Sequence, residues 1–133
     1  MKEVFVDSSG FYALLDRDDP FHLAARDCFE RAEREGWRLW TTSYVLHETW
    51  ALVQHRLGME ALEQLLEVLI PVCEVEYVDR ALHALGALRC RTANQRRLSL
   101  TDCVSLEFMR LRGLTEAIAR DDHFTRAGIR LPS

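Results

Sequence analysis

Four positions along the chain carry carboxylates where an acid could do chemistry. Asp7 directly ends a short apolar run, and Glu48 interrupts an otherwise apolar helical stretch. Asp102 lies near the start of a late helical stretch, and Asp121 follows the last short apolar run. Carboxylates that meet without lysine or arginine repel one another, and a hard divalent cation removes that repulsion by binding their oxygens. Such a cation can lower the pKa of a water and orient it towards a phosphodiester. The acids therefore indicate metal-dependent phosphodiester hydrolysis, provided that the fold brings them together.

Three of these positions have structural interpretations that the residues alone leave open. Asp7 is a favoured N-cap type for the helix that follows it. Ser99 and Asp102 have the spacing of a capping box, with an acid where Glu or Gln is usual. Asp121 or its neighbour Asp122 could cap the short helical turn that begins there.

Glu48 is the most informative acid because its helical neighbours carry no charge. Three and four positions away on a helix lie Tyr44, Val45, Ala51 and Leu52. A carboxylate in such surroundings is costly to bury unless a distant residue pairs with it or a metal binds it. Its alternatives are a side chain that snorkels to water, a tertiary ion pair and a metal ligand.

The elements that must position these acids alternate between short strands and helices. The apolar runs predict strands at Glu3–Val6, 37–42, 72–78 and 116–119, with a last edge strand at 129–131. Helical spacing predicts helices at 8–16, from Pro20 up to Gly36, and at 44–57, 59–70, Arg80–Ala93 and 101–112. The predicted apolar face of the second helix contains Phe21, Ala24, Cys28, Phe29 and Ala32, and that of the third contains Leu46, Trp50, Val53 and Leu57.

This alternation predicts an α/β fold with a mainly parallel central sheet. Parallel sheets bind ligands outside the carboxyl ends of their strands. Asp7 and Asp121 each follow a predicted strand, so both belong to that end of the sheet.

Composition limits the class of protein. The chain has 133 residues, of which 48% are hydrophobic, and we expect one domain spanning residues 1–133. The opening residues lack the pattern of a signal peptide, no apolar run is long enough to span a membrane, and the four dispersed cysteines suit a reducing compartment. We therefore expect a cytoplasmic protein with no membrane partner. The net charge of −4 means that nucleic-acid binding would need a local basic patch or bridging cations.

The densest basic stretch of the chain leads directly into Asp102. Within residues 89–97 we select Arg91, Arg96 and Arg97, together with Arg120, as candidate RNA contacts, although a solvated loop is an equal alternative. Arg17 and Arg56 are weaker candidates for the same role, a basic rim beside the acids. The three tryptophans could stack on bases, but packing in the core or an interface is the better interpretation.

Four segments in order resemble one known family. They are VFVDSSGFYALL around Asp7, TTSYVLHE ending at Glu48, LSLTDCVSLEFM around Asp102, and AIARDDHF around Asp121. Any one of them is weak evidence, but all four at fitting intervals resemble PIN domains, in particular the toxin nucleases of VapBC toxin–antitoxin pairs.

The resemblance implies a three-layer α/β/α sandwich around a mainly parallel sheet. It implies that Asp7, Glu48, Asp102 and Asp121 are catalytic and form an acidic pocket for Mg²⁺ or Mn²⁺, supported by the hydroxyl of Ser9. It further implies hydrolysis of RNA by a metal-activated water, dimerisation of the protein, and neutralisation by a small antitoxin protein that occludes the pocket.

The chain departs from the family pattern at one position. Many relatives carry Thr two residues before the fourth acid, whereas this chain has Ala119 and so lacks that hydroxyl. The choice of Asp121 over Asp122 as the fourth ligand rests on the motif, and Asp122 is kept as a supporting residue.

Competing functions differ in how well they fit. A haloacid-dehalogenase-like phosphatase requires a second Asp where this chain has Ser9, and a response-regulator receiver requires a late lysine, yet the one lysine is Lys2. A PIN nuclease of RNA processing and a non-catalytic PIN-fold binding module remain as alternatives.

Overall fold

The fold is built around a four-stranded sheet whose strands all run in the same direction. The computed structural model describes residues 1–120 and 122–133. The strands are β1 (Glu3–Val6), β2 (Arg38–Thr42), β3 (Cys73–Glu76) and β4 (Ala117–Ile118), in the spatial order β3-β2-β1-β4. Every pairing is parallel, with Phe5 of β1 opposite Trp40 of β2 and Ala117 of β4. The predicted α/β class with a parallel central sheet is confirmed.

Helices connect these strands at bounds close to the predicted ones. They are α1 (Ser8–Leu15), α2 (His22–Glu35), α3 (Ser43–Arg56), α4 (Met59–Gln64), α5 (Arg80–Ala93), α6 (Leu100–Arg112) and α7 (Asp122–Arg126). Side chains of Asp7, Thr42, Asp79 and Ser99 cap the N-termini of α1, α3, α5 and α6. None of the helices in the described ranges is both long and apolar enough to cross a membrane.

The strand order determines which helices cover each face of the sheet. Strands β2 and β3 are added successively on one side of β1, whereas β4 is added on the other side of β1. Since parallel crossovers are right-handed, α1 to α4 cover one face and α5 and α6 cover the other. Ring contacts agree, because Phe5 and Trp40 lie 6.0 and 5.8 Å from Phe108 of α6, while Phe11 of α1 lies 6.0 Å from Phe29 of α2. The result is the α/β/α sandwich that the sequence predicts.

Gly10 allows α1 to lie directly against the end of β4. A Cβ atom at this position would come within 2.3 Å of the carbonyl oxygen of Ile118. The backbone N–H of Asp7 donates to that same carbonyl at 3.2 Å, so β1, α1 and β4 meet there. A glycine at residue 10 therefore permits the close approach that brings residues 7–9 beside residues 118–120.

The predicted apolar faces of two helices are partly wrong. In α2, Cys28 and Ala32 are buried as predicted, but Ala25 is buried in place of Ala24, which is exposed. In α3 the buried residues are Val45, Thr49 and Val53 instead of a face containing Leu46 and Trp50.

Hydrogen bonds explain the error in α3. Thr49 can be buried because its hydroxyl donates to the carbonyl oxygen of Val45 at 2.7 Å. Trp50 is 42% exposed, and its indole N–H donates to Gln54 at 2.9 Å. Of the two predicted alternatives for the tryptophans, core or interface packing, the core alternative is wrong for Trp50, whereas Trp37 is buried and Trp40 packs on Phe108.

Two further predicted elements differ in form. The predicted helix 59–70 is α-helical only to Gln64, continues as a π-helical turn at Leu65–Leu69, and ends in a 3₁₀ turn at Ile70–Val72. Pro71 lies inside this last turn, where its missing N–H costs no helical hydrogen bond. The predicted edge strand 129–131 is reduced to one parallel bridge between Glu116 and Arg130.

Candidate active site

The segments that follow the carboxyl ends of β1 and β4 open onto one cavity, which α3 also lines. The chain reverses its direction of strand addition between β1 and β4, which makes this the switch point where open parallel sheets bind ligands. The cavity has a volume of about 360 Å³. Its described lining residues are Asp7, Ser8, Ser9, Tyr12, Asp19, Glu48, Leu52, Arg56, Arg97, Ser99, Asp102 and Arg120.

Asp7 is both the N-cap of α1 and an acid of the cavity. Its Oδ2 accepts hydrogen bonds from the hydroxyl of Ser9 at 2.7 Å and from the backbone N–H of Ser9 at 3.2 Å. Its Oδ1 is buried and has no hydrogen-bond partner among the described residues. Burial raises the pKa of Asp7 to about 7, the bonds from Ser9 oppose that rise, and the nearby charges of Asp102 and Glu48 add to it. The sequence left an N-cap and a site residue as alternatives for Asp7, and in the structure its side chain both caps α1 and lines the cavity.

Glu48 reaches the cavity from the middle of α3. It is half-buried, and its Oε2 accepts a 2.6 Å hydrogen bond from the hydroxyl of Ser8. Because its helix neighbours carry no charge, Glu48 needs a tertiary partner where it is buried. That partner is the neutral hydroxyl of Ser8, and this contact does not compensate the negative charge of Glu48. The sequence did not identify Ser8 as a site residue.

Asp102 forms the capping box that its spacing predicts and also lines the cavity. The backbone N–H of Ser99 donates to Oδ2 of Asp102 at 3.2 Å, and the hydroxyl of Ser99 accepts from the backbone N–H of Asp102 at 3.0 Å. Asp102 is buried, with 8% of its surface exposed. The capping box fixes the carboxylate at the start of α6, where it faces the pocket that also contains Asp7 and Glu48.

The fourth predicted acid, Asp121, lies outside the described residues. Asp122 is exposed in the first turn of α7 and is not among the residues that line the cavity. Within 1–120 and 122–133, no three His, Cys, Asp or Glu side chains converge closely enough to enclose an ion by themselves.

The donors that line the cavity nevertheless suit a hard divalent cation. Asp7, Glu48 and Asp102 supply carboxylate oxygens, and the Oδ1 atom of Asp7 is buried without a protein donor in the described part of the chain. Mg²⁺ keeps several waters and needs only one or two protein carboxylates, so an open arrangement fits this ion.

The basic rim differs in membership from the predicted one. Arg97 and Arg120 line the cavity, as does Arg56, which the sequence ranked lower. Arg91 and Arg96 are exposed and are not among the described lining residues. Arg91 lies on α5, which ends at Ala93, while Arg96 and Arg97 both belong to the loop that follows, and of these two Arg97 is the one in the described lining.

Glu107 shows why a buried acid need not belong to the site. It lies on α6 and contacts Arg89 at 2.6 Å and Arg110 at 3.0 Å. Burial alone would raise the pKa of Glu107, but the hydrogen bonds from both guanidinium groups lower it below its usual value. This acid is neutralised by two arginines in the fold, whereas Asp7 and Glu48 accept hydrogen bonds from the neutral hydroxyls of Ser9 and Ser8.

Comparison with known proteins gives a consistent result along almost the whole chain. Residues 4–129 match the PIN domain family. The chain is 31% identical, over 134 residues covering 94% of both proteins, to the 23S rRNA-specific endonuclease VapC20 of Mycobacterium tuberculosis, which is recorded from two strains.

Solved structures agree with this family. The crystal structure of Mycobacterium tuberculosis VapC20, a sarcin–ricin loop cleaving toxin, superposes with a TM-score of 0.84 at 29% identity, covering 95% of both chains. The structure of FitAcB from Neisseria gonorrhoeae gives a TM-score of 0.67 at 14% identity, covering 97% of this chain and 96% of the other. The latter likeness supports the fold alone.

Proposed function

Because the chain belongs to the PIN-domain family, we propose that it is an endoribonuclease that uses Mg²⁺ or Mn²⁺ held by Asp7, Glu48, Asp102 and Asp121. The sequence-based assignment to this family, and with it the prediction of a nuclease, is confirmed. The metal, its four ligands and the RNA contacts are the parts that we add.

Asp7 carries the proposal. Its Oδ1 is buried, lacks a hydrogen-bond donor among the described residues, and belongs to a carboxyl group whose pKa burial raises to about 7. A buried acceptor without a donor costs free energy, on the order of 1–3 kcal/mol. A cation at this oxygen would offset that cost, and no other described feature of the fold does so.

Seven residues of the cavity have a defined part in the proposed reaction. When bound, the divalent cation supplies a water of lowered pKa and neutralises charge on the phosphate. Asp7, Glu48 and Asp102 hold the cation from three different elements, while Ser9 fixes the orientation of Asp7 and Ser8 that of Glu48. Arg97 and Arg120 contact the phosphates of the bound strand.

The substrate and partners follow from the relatives by analogy. VapC20 is named for cleavage of 23S rRNA at the sarcin–ricin loop, so we propose a structured RNA loop as the substrate of this chain. We further propose that the chain is the toxin of a toxin–antitoxin pair, that it is a homodimer, and that a small antitoxin protein covers the acidic cavity.

The first experiment is a cleavage assay with protein purified free of any partner. An RNA oligonucleotide with the sarcin–ricin loop and a mixed RNA pool are incubated with Mg²⁺, with Mn²⁺ and with EDTA. We expect cleavage with either metal and none in EDTA. Asp7→Asn, Glu48→Gln and Asp102→Asn should each lower the rate by more than about 100-fold. Mutating a residue that only hydrogen-bonds to a metal ligand already lowers metal affinity or activity about 10–100-fold.

Asp27→Asn is the matched control. This exposed acid lies on α2 outside the cavity, and its contact with Arg31 at 3.9 Å is a surface ion pair of little value. We expect it to cleave at the wild-type rate. Cleavage in EDTA, wild-type rates for Asp7→Asn, or folded protein that cleaves none of these RNAs would contradict the proposal.

A further inference from the structure

One wall of the cavity is formed by matching faces of α1 and α3. Ser8 and Tyr12 are four residues apart on α1, and Glu48, Leu52 and Arg56 are spaced by four residues on α3, so each set shares one helix face. All five residues line the cavity. The wall therefore runs from an acidic end near the proposed metal ligands to an end formed by an aromatic ring and a cation.

Two contacts between these helices define the ends of the wall. At the acidic end the hydroxyl of Ser8 donates to Glu48 at 2.6 Å. At the other end Cζ of Arg56 lies 5.7 Å from the ring centroid of Tyr12. Eight residues of α3 separate Glu48 from Arg56, a rise of about 12 Å, and the half-buried Leu52 lies between them.

Arg56 is a cation that the fold does not neutralise. Among the described residues it has no carboxylate oxygen within 4 Å, whereas Arg120 on the same cavity lies 3.9 Å from Asp19. The contact with Tyr12 places the exposed guanidinium at the ring, at the end of the wall away from Glu48.

We propose that Arg56 binds a phosphate of the RNA strand beside the scissile one, and that Tyr12 is the positioning residue for its guanidinium. The planar fork of an arginine matches a phosphate, and stacking on a ring leaves the N–H donors at its edge available for the strand. The subsite rests on the proposed function, because it assumes that RNA enters this cavity. It extends the bound strand along the wall between α1 and α3, away from the metal ligands.

RNA binding tests the subsite without depending on cleavage. Fluorescence anisotropy of a labelled single-stranded RNA of mixed sequence is measured in EDTA over a series of salt concentrations. We expect Arg56→Ala to weaken binding about tenfold. It should also flatten the slope of log K against log salt by about 0.7, the value for one phosphate contact with a single strand.

Arg34→Ala is the matched control, because it removes the same charge from an exposed position of α2 outside the cavity. We expect it to leave affinity and slope close to wild type. Two results would overturn the subsite. One is the same salt slope for Arg56→Ala and wild type, and the other is the same loss of RNA affinity for Arg56→Ala and Arg34→Ala.

Substitutions at Tyr12 separate positioning from charge. Tyr12→Leu should lower affinity about threefold while keeping the wild-type salt slope, because the guanidinium remains charged but loses its ring. Tyr12→Phe retains the ring but removes the hydroxyl, which also interacts with Arg56 and Asp16, so its affinity should lie between those of wild type and Tyr12→Leu. Thermal melting of each variant checks that it is folded, and if folded Tyr12→Leu and Tyr12→Phe bind alike, Tyr12 has no positioning role.

Cleavage distinguishes failure of the subsite from failure of the nuclease. With an RNA that the wild type cleaves, a single neutral methylphosphonate next to the cleaved bond should slow the wild type but slow Arg56→Ala no further. Metal-dependent cleavage by wild type together with undiminished RNA binding by Arg56→Ala would reject the subsite alone. RNA binding that depends on Arg56 without any cleavage would support the subsite and reject the nuclease.

Discussion

The hydroxyl of Ser9 donates a 2.7 Å hydrogen bond to Oδ2 of Asp7. The same hydroxyl oxygen accepts a 3.0 Å bond from the backbone N–H of Arg120, just after β4. Ser9 therefore ties the acid that follows β1 to the segment that follows the neighbouring strand. With Oδ2 directed to Ser9, Oδ1 of Asp7 is buried without a hydrogen-bond partner among the described residues, and it is the atom that we propose for the metal ion.

Ser9→Ala should reduce catalysis through metal affinity while leaving the ligands in place. It removes the donor that orients Asp7 and the acceptor that holds the Arg120 backbone. We expect a 10–100-fold rise in the Mn²⁺ concentration needed for half-maximal cleavage, the range measured for residues behind metal ligands. Calorimetric titration with Mn²⁺ checks the same quantity without RNA.

Ser8→Ala is the companion variant. It removes the 2.6 Å bond to Glu48 and leaves Asp7 untouched. A smaller shift in metal affinity is expected, because Glu48 is only half-buried and water can replace the lost donor. A Ser9→Ala enzyme that binds Mn²⁺ as tightly as the wild type would show that this hydroxyl has no part in the site.

The pH dependence of stability should reveal the buried Asp7 carboxyl. Its folded pKa of about 7 lies above the unfolded value of about 3.9. Between these values the folded protein binds more protons than the unfolded chain, so the free energy of unfolding falls as pH rises. The contribution is fully present below pH ~4 and lost above pH ~7. In EDTA, the wild type should lose about 2–3 kcal/mol relative to Asp7→Asn between pH ~5 and ~8.

Urea unfolding at the two pH values measures this difference. Asn is a good comparison because it is an equally favoured N-cap and has no titrating proton. At the higher pH, Mg²⁺ should stabilise the wild type and have little effect on Asp7→Asn, because ligand binding to the folded state raises its stability. Parallel pH profiles for the two proteins in EDTA would refute a raised pKa at Asp7.

Asp121 and Asp122 can be separated by the same isosteric substitution at each position. The family motif selects Asp121, and Asp122 is exposed at the start of α7 outside the described cavity lining. We expect Asp121→Asn to abolish metal-dependent cleavage and Asp122→Asn to retain at least half of the wild-type rate. The reverse result in a cleavage assay with Mg²⁺ would reassign the fourth ligand to Asp122.

Local patterns predicted the fold because the chain is consistent at each level. Asp7, Thr42, Asp79 and Ser99 begin helices where caps are expected, and Gly36 and Gly113 end helices in the left-handed conformation that glycine favours. Short apolar runs between these helices then had to be strands, and alternation implied a parallel sheet. Asp7 and Asp102 were selected from their places at the end of a strand and the start of a helix, and Glu48 from its uncharged helix neighbours, and all three line the cavity.

Features that depend on packing between helices were not predictable in this way. The sequence made Leu46 and Trp50 core residues of α3, because hydrophobic type was the available signal, whereas Thr49 is buried through its bond to Val45. The partner of Glu48 is Ser8, forty residues earlier, and no local spacing connects them. Spacing by four residues on α1 and α3 could have suggested Tyr12 and Arg56 once the two helices were known to face one cavity.

Arg96 and Arg97 provide the sharpest test of the basic rim because they are adjacent and carry the same charge. Both side chains are exposed, but Arg97 lines the cavity whereas Arg96 lies outside its described lining. Arg97→Ala should flatten the salt dependence of RNA binding by about 0.7 in the log–log slope, and Arg96→Ala should leave it unchanged. The carbonyl of Arg97 contacts His123 Nε2 at 3.1 Å, a backbone contact that survives Arg97→Ala and keeps the loop in place. Both variants have the same net charge, so a general electrostatic effect predicts equal slopes, and equal slopes in anisotropy titrations would exclude a specific phosphate contact at Arg97.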